Sequence, residues 1–164
     1  MPELLWNRAP ATPVATLVLA HGAGAPMDSP FMATMAGLLA ERGIEVARFE
    51  FAYMARRREE GIKAPPDRAP RLMACFQAVL DEVRRTAPGP VWVGGKSMGG
   101  RMATMLAADP DTAPDGCVVF GYPFHPPGKP EKTRLDHFPA LAAHRLILLL
   151  VCRLRLLRFF RALV

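Results

Sequence analysis

One stretch decides the fold, VWVGGKSMGGR at residues 91–101. It predicts a buried strand, a glycine-lined turn and the start of a helix, with Ser97 at the apex. Residues 95–99 fit the pattern G-x-S-x-G, in which a tight strand-to-helix turn lifts a serine hydroxyl clear of a sheet. A side chain at Gly95 or Gly99 would crowd the backbone where the strand and the helix nearly touch. Ser97 is therefore the candidate nucleophile.

Two other interpretations of this stretch are possible. Gly95, Lys96 and Ser97 could end a phosphate-binding P-loop, but that motif needs a glycine where Pro90 stands. A P-loop also has a long glycine-rich loop after its strand, whereas this strand runs almost directly into its glycines. The other interpretation is an ordinary glycine-rich turn with no chemical role. Only the rest of the chain can argue against it.

Composition predicts a single domain over residues 1–164, because about half of the residues (51%) are hydrophobic and the chain is long enough for a substantial core. The net charge of +6 is not spread evenly. Residues 145–164 hold five arginines and no acid, which leaves 16 basic and 15 acidic residues in residues 1–144. The basicity belongs to the tail, and we expect no nucleic-acid partner.

The cysteines and the N-terminus predict a cytoplasmic protein. Cys75, Cys117 and Cys152 are widely spaced in apolar segments, so we expect reduced core residues and neither a disulfide framework nor a zinc site. We expect no other metal and no cofactor. The apolar run at residues 14–20 is too short for a signal peptide or a membrane span.

Predicted strands alternate with amphipathic helices along the chain. This alternation indicates a three-layer α/β sandwich, with a mostly parallel sheet and helices on both faces. Residues 1–13 are expected to be irregular, and residues 53–70 are expected to form a polar loop with a solvated charge run. Strands are predicted at residues 14–20, 44–51, 91–93 and 116–122, and helices start at Pro30, with Ser29 as the N-cap, at Pro70 and near Met98.

Three loops are expected at the same edge of this sheet: residues 21–25, the Ser97 turn and residues 122–129. Ligand sites in parallel sheets lie at the carboxyl ends of the strands, so these loops should meet. Serine needs a base to remove its proton and N–H donors to stabilise the oxyanion that forms. The convergence of the three loops favours a catalytic site over an ordinary turn.

Two backbone N–H groups are the candidate oxyanion donors. Met98 opens the helix after Ser97, where the dipole favours negative charge. Ala23 lies between Gly22 and Gly24 in the loop after the first predicted strand, and it is the second candidate. These two glycines, with Gly95 and Gly99, are the supporting residues of the predicted site.

The general base is harder to assign. An α/β hydrolase takes its triad in the order serine, acid, histidine, so both partners must follow Ser97. His125 is the possible base, because it lies just past a predicted strand end. His21 precedes the serine and is expected to shape the oxyanion loop, and His137 is expected in a solvated helix start. The acids after Ser97 are Asp109, Asp111, Asp115, Glu131 and Asp136, and none of them lies after the last strand-like segment, residues 146–151, where the fold would place the acid.

Several long motifs in order carry a family resemblance. They are HGAGAPMDSPF at residues 21–31, RFEF at 48–51, PPDRAP at 65–70, GGKSMGGR at 94–101 and GYPFHPPGKP at 121–130. Together they resemble the small bacterial α/β hydrolases related to dienelactone hydrolase. The similar branch includes the animal non-specific-lethal complex subunit and testis-expressed relatives. The resemblance covers residues 14–138 and implies a hydrolytic α/β fold with Ser97 as nucleophile. It implies no particular substrate, and from the predicted site we expect a small-molecule acyl or ester substrate.

The resemblance breaks towards the C-terminus. The family pattern implies an acid in a Gln-Gly-x-x-Asp-Pro-like turn after the next strand and a base in a later Gly-x-His-like segment. Here the strand-like residues 146–151 lead into a divergent tail rich in leucine and arginine, part of residues 145–164. Both triad partners are missing at the expected places. The abrupt change in composition predicts a C-terminally shortened sheet with a truncated or frame-shifted end.

Two functions therefore stay open. The first is a serine hydrolase acting on an ester or similar acyl bond, inactive in this chain if the acid and base are lost. The alternative is a non-catalytic binding module or a truncated remnant. A last strand with a basic amphipathic helix is the expected form of the tail, with membrane-surface binding less expected. A shortened sheet edge would also expose apolar surface and favour self-association.

Overall fold

The computed structural model describes residues 2–143 and 146–149, with side chains up to residue 141. The strands in these residues are β1 (Leu4–Asn7), β2 (Ala15–Ala20), β3 (Ile44–Phe49), β4 (Val91–Lys96), β5 (Gly116–Phe120) and β6 (Leu146–Leu149). They form one sheet in the order β1-β3-β2-β4-β5-β6. The helices are α1 (Pro30–Ala40), α2 (Ala52–Glu60), α3 (Ala69–Thr86) and α4 (Met98–Ala107), followed by a 3-10 helix at Phe138–Ala143.

The predicted fold class is confirmed. Strands β2 to β6 pair in parallel, and β1 alone pairs antiparallel, with β3. The chain therefore forms a mostly parallel sheet flanked by helices, because each parallel pair needs a crossover connection. The strand-like pattern at residues 146–151 is confirmed at β6, and the tail from residue 150 onward lies outside the described residues.

Alternating side chains on the strands build two core layers. Leu17 and Leu19 of β2 pack with Met32 and Met35 of α1 on one face of the sheet. Val18, between them in sequence, points to the opposite face and joins the core made with α3 and α4. Successive side chains of a strand point to opposite faces, so a continuous apolar run indicates a strand buried on both sides. The carboxyl ends of β2, β4 and β5 then lie side by side.

The expectation that residues 1–13 are irregular is wrong. Residues 4–7 form β1, an edge strand whose Leu4 lies opposite Phe49 and whose Asn7 lies opposite Val46. The guanidinium of Arg48 also donates to Asn7 Oδ1 at 2.7 Å. The short strand depends on pairing with β3, a contact between distant parts of the chain. The three surrounding prolines hid it from local pattern reasoning.

The expectation of a polar loop over residues 53–70 is also wrong in its first half. Residues 52–60 form α2, which buries Tyr53 and Met54 and ends at Gly61 with a φ of 70°. Its sequence is rich in strong helix formers, and glycine commonly follows the last turn of a helix. The charged residues obscured this signal because a solvated charge run also suits a loop.

Candidate active site

Ser97 lies at the tight turn between β4 and α4. Its backbone has a φ of 51° and a ψ of −111°, a strained conformation for a residue with a side chain. The Ser97 N–H donates to the carbonyl of Gly121 at 2.9 Å, which ties the turn to the end of β5. Such an outlier persists only where the surrounding structure imposes it. The serine is therefore held at the carboxyl edge of the sheet, half-buried.

Backbone crowding explains the glycines on either side of Ser97. A Cβ added at Gly95 would lie 2.4 Å from the carbonyl carbon of Gly99. A Cβ at Gly99 would lie 2.5 Å from the carbonyl oxygens of both Ala20 and His21. Real Cβ atoms do not approach backbone this closely, so the strand, the helix and the loop after β2 can meet only through glycine.

His21 is a buried neutral histidine with both ring nitrogens in use. Its Nε2 lies 3.2 Å from the Phe51 N–H, which can only donate, so Nε2 is the acceptor. The proton is then on Nδ1, which donates to the Gly22 carbonyl at 2.7 Å. Burial of the ring lowers the pKa of His21 from its ordinary value. With both nitrogens occupied, His21 holds the loop in place and has no free lone pair for Ser97.

These contacts orient the peptide groups of the loop after β2. Among the described residues no peptide bond is cis, so the carbonyl and the N–H of each peptide there point in opposite directions. Because the Gly22 carbonyl faces the His21 ring, the N–H of Ala23 faces away from it. The next carbonyl, that of Ala23, accepts a hydrogen bond from the Tyr53 hydroxyl at 3.0 Å. Two side chains therefore fix two successive peptides of the loop.

A network of charged side chains anchors the far end of the same loop. Met27 donates its N–H to Glu50 at 3.3 Å and receives a hydrogen bond from Arg48 at 2.8 Å. The Arg58 guanidinium bridges Glu50 and Asp28, at 2.6 Å and 2.9 Å. The hydrogen bond from Arg58 holds the pKa of Asp28 below its usual range. The charge run of α2 thus connects this helix to the loop.

Ser97 and both candidate oxyanion donors line one cavity of about 420 Å³. As the first residue of α4, Met98 has an N–H without an intrahelical acceptor. Within residues 2–143 and 146–149, the N–H of Ala23 also has no hydrogen-bond acceptor. The structure therefore brings together the serine and the two proposed donors. Of the supporting glycines, Gly24 has open space around it and is not required by packing.

His125 lines the same cavity but is exposed. Its Nδ1 lies 2.9 Å from the carbonyl of Pro126, so this nitrogen carries the proton and the lone pair lies on Nε2. No hydrogen bond joins Ser97 Oγ to a histidine within the described part of the chain. His125 is therefore near the serine without forming a serine–histidine pair.

The expectation that His137 is solvated is wrong. It is half-buried, and its Nε2 lies 2.8 Å from Thr104 Oγ1 on α4. Burial and the neighbouring Arg101 lower the pKa of His137. Thr104 lies about two helical turns beyond Ser97, so this histidine packs along the helix away from the turn.

Sequence reasoning missed several residues of the site. Asp67, Arg101 and Arg134 line the cavity of Ser97. Arg101 could have been found, because a residue four positions after Ser97 lies on the same face of the helix. The others come from loops whose positions only the fold determines. A second cavity of about 360 Å³ also opens at Ser97, and Phe31, Lys96, Phe120, Gly121, Tyr122 and Pro123 line the rest of it.

A tight strand-to-helix turn with a serine at its apex, placed on a mostly parallel sheet, defines a class of protein, the α/β hydrolases. Residues 13–149 match the family model described as an alpha/beta hydrolase domain, and the chain belongs to this family.

Solved structures show the same fold. An alpha-beta serine hydrolase homologue from Coxiella burnetii is 18% identical with a TM-score of 0.68, and the match covers 88% of this chain and 65% of that one. TT1662 from Thermus thermophilus is 18% identical with a TM-score of 0.66, covering 90% and 69%. An open-form lipase is 23% identical with a TM-score of 0.65, covering 82% and 43%. The chain thus spans about two thirds or less of these neighbours.

No helix among the described residues is long and apolar enough to cross a membrane.

Proposed function

We propose that the protein is a serine hydrolase that cleaves an ester or a similar acyl bond, with Ser97 as the nucleophile. The observation that carries this proposal is the strained turn at Ser97, which places the serine in one cavity with the N–H groups of Met98 and Ala23. Backbone strain concentrates at functional sites, and paired N–H donors beside a serine suit the tetrahedral oxyanion of acyl transfer.

The proposed reaction follows from these positions. Ser97 Oγ attacks the ester carbonyl carbon while a base takes its proton, and the oxyanion is held by the N–H groups of Met98 and Ala23. The carbon–oxygen bond to the alcohol then breaks, and the alcohol leaves with that proton. Water next attacks the acyl-serine and releases the acid. His125 is the proposed base, since its Nε2 lone pair is available in the same cavity.

Similar proteins support a small-molecule substrate. Est1E from Butyrivibrio proteoclasticus has been seen with ferulic acid bound, and it shares the fold at a TM-score of 0.58 and 13% identity. Within the family, the motifs at residues 21–31 and 121–130 support the dienelactone-hydrolase-like branch as the finer placement. Cys75 and Cys117 are free thiols, which suits a reducing compartment, and we propose the cytoplasm.

Labelling with a fluorophosphonate probe tests the nucleophile. The chain has two serines, Ser29 and Ser97, so the modified residue is easily assigned. We expect wild-type protein and the Ser29→Ala control to label and Ser97→Ala not to label. Ser29 is a suitable control because its side chain makes no capping hydrogen bond. A folded wild-type protein that stays unlabelled would contradict the proposal.

A non-catalytic binding module is the second candidate. It is favoured by the lack of a hydrogen bond between Ser97 Oγ and a histidine within the described residues. His125→Ala separates the two candidates. In a hydrolase that uses His125, this variant should lose about a hundredfold in labelling rate or more. In a binding module, ligand affinity would be measurable while wild type and variant both lack turnover.

A further inference from the structure

Two cavities of different chemistry meet at Ser97 and Pro123, which line both of them. We call the larger one, of about 420 Å³, the arginine cavity, because Arg101 and Arg134 line it beside Ala23, Ser97 and Met98. We call the other, of about 360 Å³, the phenylalanine cavity; Phe31, Phe120 and Pro123 line it with Ser97. An ester bound at the serine has two halves, and each half would occupy one cavity.

The two arginines of the arginine cavity are not neutralised by the protein. Within the described residues neither Arg101 nor Arg134 forms an ion pair, whereas Arg8, Arg58 and Arg85 each pair with a carboxylate. Asp67 is the acidic residue among those that line this cavity. Its Oδ1 already faces two other arginines, Arg56 at 3.3 Å and Arg71 at 3.5 Å. The cavity therefore keeps a net positive wall.

A positive wall in a partly enclosed cavity attracts an anion. The guanidinium group is planar and presents paired N–H donors that match the two oxygens of a carboxylate. Ligand pockets generally combine an apolar lining with a few polar groups that fix orientation. Here the apolar lining comes from Leu72 and Met102, and the arginines are the orienting groups.

The oxyanion donors decide which half of the ester enters which cavity. The carbonyl that Ala23 and Met98 would bind belongs to the acyl half, and these two residues line the arginine cavity and not the phenylalanine cavity. The alcohol half then enters the phenylalanine cavity. Its one cation, Lys96, already lies over the face of Phe31, with Nζ 4.4 Å from the ring centroid. That cavity is suited to an apolar group.

We propose that the substrate is an ester of an apolar alcohol with a short acyl chain that ends in a carboxylate, bound by Arg101 and Arg134. The proposal rests on the proposed function for the position of the ester bond. The charge preference of the arginine cavity does not depend on turnover, and it can be tested without it.

Matched substrates test the preference in turnover. The para-nitrophenyl monoester of adipic acid and para-nitrophenyl hexanoate differ at the end of the acyl chain, by the carboxylate. We expect wild type to favour the carboxylate ester in kcat/KM by about tenfold or more. Arg101→Met and Arg134→Met should each reduce this ratio, and high salt should weaken it. Arg85→Met, which lies outside both cavities and pairs with Glu82, should keep it.

Binding of the two esters to the Ser97→Ala variant tests the substrate assignment separately from the proposed hydrolase activity. This variant cannot form the acyl-serine, so calorimetry with the same two esters measures affinity alone. We expect the carboxylate ester to bind about tenfold more tightly, and the preference to vanish in Arg101→Met/Arg134→Met on the same background. Thermal unfolding confirms that each variant is folded. If Arg101→Met does not fold, the comparison is made with Arg134→Met alone, because Arg134 lies in a loop.

Each outcome has a defined meaning. If wild type fails to label with fluorophosphonate but Ser97→Ala prefers the carboxylate ester, the serine hydrolase is wrong and the arginine cavity stands. If wild type labels and both esters bind and react equally, the hydrolase stands and the substrate assignment is overturned. A preference that survives loss of both arginines also overturns it.

Discussion

The hydroxyl of Tyr53 donates a hydrogen bond to the carbonyl of Ala23 across 3.0 Å. The two residues are 30 positions apart, one in α2 and one in the loop after β2. Since the Ala23 carbonyl is fixed in this direction, the peptide that carries it cannot rotate freely. The contact links the first turn of a helix to the predicted oxyanion loop.

Tyr53→Phe should therefore impair chemistry more than binding. Removing one oxyanion donor costs about a hundredfold or more in rate, and loosening the loop that carries a donor should cost about tenfold in kcat. KM should change little, because the ring still fills its buried site. Ester hydrolysis and fluorophosphonate labelling rates measure the effect. A fall in kcat accompanied by a rise in KM of similar size would instead indicate general disruption of the site.

Gly99→Ala should unfold the turn around Ser97. Its new Cβ would lie 2.5 Å from two backbone oxygens, so we expect a loss of at least about 3 kcal/mol, the upper end of common overpacking costs. Gly37→Ala is the matched control in α1, where no heavy atom lies within 4 Å of the added Cβ. This control should gain about 0.5–1 kcal/mol. Urea denaturation measures both, and a stable Gly99→Ala protein would show that the close packing is wrong.

Stability should fall in acid because of two histidines. Burial lowers the folded-state pKa of His21 and of His137 below the ordinary value of 6.5. As the pH falls below 6.5, the unfolded chain binds protons before the folded chain does. The stabilisation is therefore complete above that pH and declines below it.

The urea midpoint at about pH 5.5 and about pH 7.5 checks this prediction. The urea midpoint of His137→Gln should fall less between the two pH values than that of wild type. The midpoint of His21→Gln should also fall less, but this variant should be less stable at every pH. A wild-type midpoint that does not change across this range would contradict the buried, neutral His21.

Arg58→Met should loosen the far end of the oxyanion loop. The Glu50 carboxylate is 6% exposed and would lose its charged partner, although Met27 would still donate to it. Because the Arg58 side chain is 45% exposed, we expect a moderate cost of about 1–2 kcal/mol rather than that of a fully buried pair. Arg57→Met is the neighbouring control, since Arg57 forms no ion pair within the described residues. Chemical denaturation compares them, and equal stability of the two variants would refute a role for the Arg58 bridge.

Local sequence patterns were sufficient to predict an element where the contacts that stabilise it are made by residues close in sequence. The apolar run of β2 indicated a strand buried on both faces, and the G-x-S-x-G spacing indicated the turn at Ser97. The same reasoning failed at β1, whose four residues gain their hydrogen bonds from β3 about forty positions away. It also failed at α2, where helix propensity competed with a charge run that suits a loop.

The sequence by itself determined the α/β alternation and the serine at the turn after β4, because these depend on short-range periodicity and on glycines that a tight turn requires. The α/β-hydrolase family followed from the resemblance carried by several motifs. Only the tertiary structure decided that Tyr53 and His21 orient the loop after β2, that His137 packs on Thr104, and that two cavities meet at Ser97. The physical reason is that hydrogen bonds and cavities are made by side chains from distant segments. Arg101 and Arg134 line the same cavity because the fold brings α4 and the segment after β5 together.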